Sequence, residues 1–318
     1  MYDIVIAGSG LGGLLCGYIL SKEGYSVCIV EKNKQLGGCL QAFKRNDCTF
    51  DTGMHYLGSL DEGQLLWRFF KYFDLIGKIK MKRLDNDVFD LIHIEGEEYK
   101  YAQGHDNFLS TLLQYFPNEK EALVSYVNKL KEVRDSLSFF ANSEVSMDNL
   151  PNMKYYSMNA ADYINSLTSN KKLQNVLAAS NTFYAGNSKT SPLYVHAVIN
   201  NSFIESSWRL IDGGNQIADC LAESIIANGG VIMKNTEVIK FAMNKNDDHI
   251  ESIELANSEH IFAKYFISNI HPALTFSKIE SKLVRKAFLN RINSIENSIG
   301  VFSLYIILVL NFLYYLKI

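Results

Sequence analysis

An α/β fold with an inserted α+β domain is what three features of this 318-residue sequence predict. At the N-terminus a short β-branched run passes through a glycine-rich turn into a helix. In the middle, an aromatic-rich and then charge-rich stretch breaks that rhythm. From Trp208 onward short strands and helices alternate again, so the first framework resumes after an interruption. At roughly 150 residues per domain the length suggests about two domains. The expected division is 1–60 and 206–275 for the split framework, 61–205 for the insert, and 276–318 for the start of a return to the insert.

Composition narrows the class. With 47% hydrophobic and 20% charged residues the chain is globular, and 31 basic against 34 acidic side chains leave no basic excess for nucleic acid. The five cysteines (Cys16, Cys28, Cys39, Cys48 and Cys220) include no C-x-x-C pair. A zinc site or secreted disulfide scaffold is therefore not expected, and a reducing, cytoplasmic setting is. No basic segment followed by a long apolar stretch opens the chain, so no secretory signal is expected. Ten of the 20 glycines fall within the first 58 positions, where something needs bare backbone.

Ile4-Val5-Ile6-Ala7 reads as a buried parallel strand, and Gly8-Ser9-Gly10-Leu11-Gly12-Gly13 opens a helix from about Leu14 to Glu23. This G-x-G-x-x-G lies in the strand-turn-helix context that gives it meaning. Gly8 permits the tight turn, Gly10 lets a pyrophosphate approach the backbone, and Gly13 lets the helix pack on the strand. The helix N-terminus offers free N–H groups to the anion. A second strand, Tyr25 to Val30, ends at Glu31, where an acid can accept hydrogen bonds from the ribose hydroxyls of an adenosine. Gln35-Leu36-Gly37-Gly38-Cys39 then supplies a second glycine turn, and Phe50-Asp51-Thr52-Gly53 follows soon after. A second phosphate-facing turn suits an extended, retained cofactor.

The block from Gly8 through Glu31 to Gly37-Gly38 resembles the glutathione-reductase-type FAD-binding proteins. Its continuation, Phe50-Asp51-Thr52-Gly53-Met54-His55-Tyr56-Leu57-Gly58, resembles the phytoene desaturase, carotenoid isomerase and retinol saturase group, with the retinol saturase branch nearest. The glycine doublet alone is shared with amine oxidases. The resemblance implies a glutathione-reductase-type FAD/NAD(P)-binding, Rossmann-like fold with an inserted α+β substrate domain. It also implies FAD as cofactor and an oxidoreductase acting on carbon–carbon double bonds of an apolar polyene or isoprenoid. The residues expected to hold the cofactor are Gly8, Gly10, Gly12, Gly13, Glu31, Lys32, Gly37, Gly38, Asp51, Gly53, Met54, His55, Val238 and Asn269.

In the insert, Leu65, Leu66, Trp67, Phe69, Phe70, Phe73, Leu75 and Ile76 form an aromatic helical run. It reads as an amphipathic core helix, with a substrate-tunnel wall or a membrane-dipping face as the sharper alternatives. Val88 to Ile94 and Glu97 to Tyr101 flank Gly96 as a hairpin. Asn107 to about Ala141 is a polar helical stretch with a solvated face. Tyr184 and Tyr194 are candidates to line a pocket.

After the insert, Gly213-Gly214 precedes a helix from Gln216 to Ala227. Strands follow at Val231–Met233 and Glu237–Phe241, then a meander at Ile250 to Leu255, His260 to Ala263 and Tyr265 to Ser268. The resemblance puts the backbone of Val238 against adenine; without it, Val238 belongs to an ordinary βαβ connection. No Ser/His/Asp set or metal-ligand spacing is present, as suits a flavoenzyme in which the cofactor carries the chemistry. His55 is the expected catalytic candidate, as a proton donor or flavin hydrogen-bond partner, and its plainer reading is a tie between loops. Cys39 lacks a redox partner.

Val301 to Ile306 reads as a strand of the substrate domain, and the run Ile299 to Leu316 is apolar. A membrane anchor and a truncated chain are the two expectations there, with truncation preferred because no basic cluster flanks the run. The functional alternatives are accordingly an inactive FAD-binding fragment or an amine-oxidase-like flavoprotein. The expected partners are an apolar small molecule and no nucleic acid, with peripheral membrane association left open.

Overall fold

After Asp3 the first apolar run has no polar side chain to turn toward water, and Ile4, Val5, Ile6 and Ala7 are all buried. Such continuous burial needs packing layers on both faces of the strand, as in a parallel sheet. A computed structural model, describing residues 1–136 and 154–307, supplies them. It divides into two units: Met1–His55 with Tyr72–Lys80 and Leu210–Ile318, and Tyr56–Lys71 with Met81–Arg209.

The first unit holds a six-stranded sheet in the order Val231–Met233, Val27–Val30, Tyr2–Ala7, His260–Ser268, Ile250–Leu255, Val238–Met243. The first four strands are parallel, with Ile4 opposite Val27 and Tyr265, and Ala7 opposite Val30 and Ser268. The last three form an antiparallel meander. Val5, Ala7, Cys28 and Val30 pack with Val238, Phe241, Ile253 and Leu255 into one core. A helix at Leu11–Lys22 lies so close to the second strand that a Cβ on Gly17 would come within 2.7 Å of Ile29 Cδ1.

Several expectations are corrected here. The first helix starts at Leu11 rather than Leu14, because Gly10 is its N-cap and Leu14 N already donates to Gly10 O. The second strand begins at Val27 rather than Tyr25. The two short runs expected on either side of Lys264 are one strand, His260–Ser268, because Lys264 points outward and pairs with Asp3 at 2.7 Å. Tyr72–Lys80, expected within the insert, groups with the first unit, where Tyr18 Oη donates to Tyr72 O and Ile211 N to Lys80 O. Residues 276–307 also group there rather than with the insert. Val301–Ile306 forms no strand; Phe302 is 92% exposed, and Tyr305 instead packs edge-on against Phe43 and Phe50.

The second unit is mostly helical. Helices His105–Tyr115, Lys120–Ser136, Ala160–Leu167, Lys171–Ala178 and Leu193–Glu205 enclose Phe108, Leu112, Leu123, Tyr126, Leu130, Leu173 and Leu177. The expected continuous stretch from Asn107 is two helices, because Pro117 cannot donate within a helix and breaks it; residues 137–141 of that expectation lie outside the described residues. The hairpin pairs Asp90–Ile94 with Glu97–Tyr101 through Glu95 and Gly96, both at positive φ as a two-residue turn demands. The aromatic helix ends at Tyr72.

Among the described residues no helix is long and apolar enough to cross a membrane. Of the apolar run 299–316, residues 308–316 lie outside the described part.

Candidate dinucleotide site

The parallel strands Tyr2–Ala7 and Val27–Val30 deliver two chain segments to the same sheet edge, the glycine turn and Glu31. The turn is closed by Gly8 N donating to Val30 O at 2.8 Å, with Gly8 at φ +96°. Gly13 has the steric role its place implies: an added Cβ would lie 2.2 Å from Gly8 O. At Gly10 and Gly12 the nearest neighbour is a side chain. Cβ atoms on Gly10 and Gly12 would fall 2.7 and 2.9 Å from the carboxamide of Asn269, which sits against the turn from the end of the fourth parallel strand. Asn269 N extends that pairing by donating to Ala7 O at 2.8 Å.

The glycine doublet joins the first turn directly. Gly37 N donates to Ser9 O at 2.9 Å, and a Cβ on Gly38 would lie 3.3 Å from Gly10 Cα. Two backbones thus abut where no side chain intervenes, beside the N-terminus of the Leu11–Lys22 helix, whose first N–H groups have no partner within the helix.

Glu31 is 7% exposed, and both of its carboxylate oxygens accept hydrogen bonds. Its Oε2 accepts from Ser9 N at 2.9 Å and Ser9 Oγ at 2.7 Å, and its Oε1 from Asn33 N at 2.8 Å. A carboxylate offers about four lone-pair sites, so three bonds leave capacity for one more donor at Oε1.

These pieces border a cleft of about 300 Å³, at the lower end of the roughly 300–1,000 Å³ typical of ligand pockets. Of the expected cofactor residues, Gly8, Gly10, Glu31, Lys32, Gly38, Val238 and Asn269 line it. Gly12, Gly13 and Gly37 act behind it through backbone packing. Asp51, Gly53, Met54 and His55 do not line it. Asp51 Oδ1 instead accepts from Gly214 N at 2.6 Å, beside the Met54 sulfur, so it caps the Asn215–Ala227 helix. His55 is exposed. The expected cofactor residues did not include Val30, Asn33, Thr236, Glu237, Ile270, Leu274 and Lys278, which complete the lining. Val30, Asn33, Glu237 and Ile270 each adjoin an expected residue in sequence, whereas Leu274 and Lys278 carried no local signal.

The second unit holds a separate polar cluster. His196 is completely buried, with Nε2 bonded to Tyr126 Oη at 2.9 Å and Nδ1 to Tyr184 Oη at 2.8 Å. Burial pulls its imidazole down to about 4 and pushes the Tyr184 hydroxyl up to about 12. Tyr184 lines a cavity of about 80 Å³ with His196, whereas Tyr194 packs on Tyr156 with ring centroids 4.4 Å apart. Cys39 is exposed and, like the other four cysteines, free.

Comparison with known proteins agrees with the fold. Residues 6–73 match the model of the NAD(P)-binding Rossmann-like domain. The chain is 27% identical over 287 residues to an all-trans-retinol 13,14-reductase of Danio rerio, covering 84% of this chain and 47% of that protein. It is 24% identical over 328 residues to prolycopene isomerase 1 of an Oncidium hybrid cultivar, covering 94% and 55% respectively. The chain therefore spans about half the length of these relatives. A solved oxidoreductase from Methanosarcina mazei shares the fold at TM-score 0.61 and 21% identity, over 92% of this chain and 65% of that one.

Proposed function

We propose, from the premise that the chain belongs to the FAD-dependent carotenoid and retinol oxidoreductase family, that its cleft holds the adenosine diphosphate portion of FAD. The whole protein would then oxidise, reduce or isomerise carbon–carbon double bonds of an apolar polyene or isoprenoid. The observation that carries this reading is the meeting of two glycine turns and Glu31 in one cleft. The backbone contact between the turns clears space at a helix N-terminus for a pyrophosphate. The remaining acceptor capacity of Glu31 suits a ribose hydroxyl, and Val30 and Val238 give the base an apolar border. Bound FAD supplies hydride transfer at its ring N5, while the protein binds, orients and excludes water. His55 is assigned the flavin-side hydrogen-bonding or proton-donating role.

The test is to purify the protein, record its visible spectrum, and mix the anaerobically reduced form with a retinoid or carotenoid. Flavin bands that bleach under reductant and return with polyene turnover support the enzyme. A protein that binds FAD yet leaves every polyene untouched supports a second reading, a fragment keeping only the nucleotide half of the site. That reading is favoured by one observation: Asp51, Gly53, Met54 and His55 all lie outside the cleft lining.

A further inference from the structure

Within the helical unit, one face of the helix Leu193–Glu205 borders another cleft, of about 330 Å³, that shares no lining residue with the nucleotide cleft. Val198, Asn201, Ser202 and Glu205 line it at the three- and four-residue spacings that put side chains on one helix face. Leu65 and Arg134 line it from the helices Leu65–Tyr72 and Lys120–Ser136. Asn201 is 1% exposed, and its Oδ1 lies 2.8 Å from His105 Nε2. Among the described residues its Nδ2 has no acceptor. A buried amide donor without an acceptor is costly, so a ligand that accepts from it supplies what the free protein lacks. One helical turn on, Glu205 is tied down: its Oε1 lies 3.1 Å from Arg134 Nη2, and its Oε2 accepts from Ser59 Oγ at 2.8 Å. Arg134 Nε also lies 3.2 Å from Asp135 Oδ1. A guanidinium carries five N–H donors, so these two contacts leave others for a ligand. In the Arg134–Glu205 pair the acid side chain is 15% exposed and the cation 45%, so the cation is the member a ligand meets. Asp135, also in the lining, faces solvent, which screens its charge.

We infer that this cleft binds a small organic carboxylate, its charged head held by Asn201 Nδ2 and the Arg134 guanidinium and its hydrocarbon part by Leu65 and Val198. An anion is selected because the lining leaves N–H donors unsatisfied, whereas both oxygens of its buried acid are taken. A planar carboxylate suits the guanidinium fork, and the charge-assisted bond is the stronger kind. Leu65 and Val198 are half-buried, and the cleft is larger than a bare oxyanion needs, so an acid carrying a short chain fits better than phosphate. The inference does not depend on the nucleotide reading.

The experiment is NMR titration of sodium hexanoate, hexan-1-ol and inorganic phosphate into the full chain and its Asn201→Asp and Arg134→Gln variants. Hexanoate should bind the wild type about tenfold or more tightly than either of the other two. Asn201→Asp keeps an acceptor for His105 but replaces the free donor with a carboxylate oxygen. It should weaken hexanoate about tenfold or more and leave hexan-1-ol within about twofold. Arg134→Gln should also weaken hexanoate about tenfold, and at a half-exposed position thermal melting should show it folded. Saturating ADP should leave hexanoate affinity unchanged. Hexanoate binding no tighter than hexan-1-ol, phosphate binding as tightly as hexanoate, displacement of hexanoate by ADP, or wild-type hexanoate affinity in both variants would overturn the inference.

Discussion

Ser9 and Glu31 hold each other through a single carboxylate oxygen: Glu31 Oε2 accepts both Ser9 N, at 2.9 Å, and Ser9 Oγ, at 2.7 Å. Ser9 is completely buried and lies in the middle of the glycine turn. The acid is thus a strut of the turn as well as a candidate ribose acceptor. Glu31→Ala would leave buried donors unsatisfied, at a cost of about 1–3 kcal/mol, and should also reduce flavin retention. Ser9→Ala removes one of the two bonds without removing the acid. It should lower the melting temperature less and keep flavin, as read by melting curves and by flavin released on denaturation.

The glycines of the turn should respond unequally to alanine. At Gly13 the added Cβ would meet the backbone oxygen of Gly8 at 2.2 Å, whereas at Gly10 it would meet the movable end of Asn269 at 2.7 Å. Gly13→Ala should therefore destabilise the chain by about 2 kcal/mol or more in urea unfolding. Gly10→Ala should cost less in stability and act mainly on nucleotide affinity.

Asp51 should behave as a helix cap. Its carboxylate takes the Gly214 N–H at 2.6 Å, and removing a capping acceptor typically costs about 0.5–2 kcal/mol. Asp51→Ala should lower urea stability in that range, while Asp51→Asn, which keeps an acceptor, should recover part of it. ADP affinity should be nearly unchanged in both.

His196 gives the helical unit a pH signature. Its folded value is about 4, below the usual value of 6.5. The unfolded chain therefore binds more protons between those values, and stability should rise with pH across the window from about 4 to 6.5. His196 favours the fold above 6.5, and that contribution is lost as pH falls toward 4. Urea unfolding at pH 7 and pH 5 should show the loss, and His196→Gln should flatten it at the expense of stability at pH 7.

Local signals made the first strand, the glycine turn, the helix and the second strand legible, because burial on both faces and bare backbone leave their marks within a few residues. The Gly37-Gly38 doublet was readable as a turn, but its contact with Gly10 was not, since that contact depends on the segment after Glu31 folding back so that Gly37 N reaches Ser9 O. Leu274 and Lys278 lie far from Glu31 in sequence, and they come near it through the pairing of Tyr2–Ala7 with His260–Ser268 and through Phe241 N to Lys278 O and Thr236 N to Glu31 O. Tyr72–Lys80 carried the same aromatic pattern as the helix before it. What draws it to the first unit is Tyr18, Lys22 and Gln216, each far away along the chain. Val301–Ile306 had the composition of a strand, but composition does not supply a partner strand, and among the described residues it pairs with none.

The most direct test of the cleft is calorimetric titration of FAD into the purified chain, repeated in saturating ADP. The expected result is one-to-one FAD binding that ADP displaces, since both ligands share the portion proposed for the cleft at the glycine turns and Glu31. No FAD binding, or FAD binding indifferent to ADP, would contradict it.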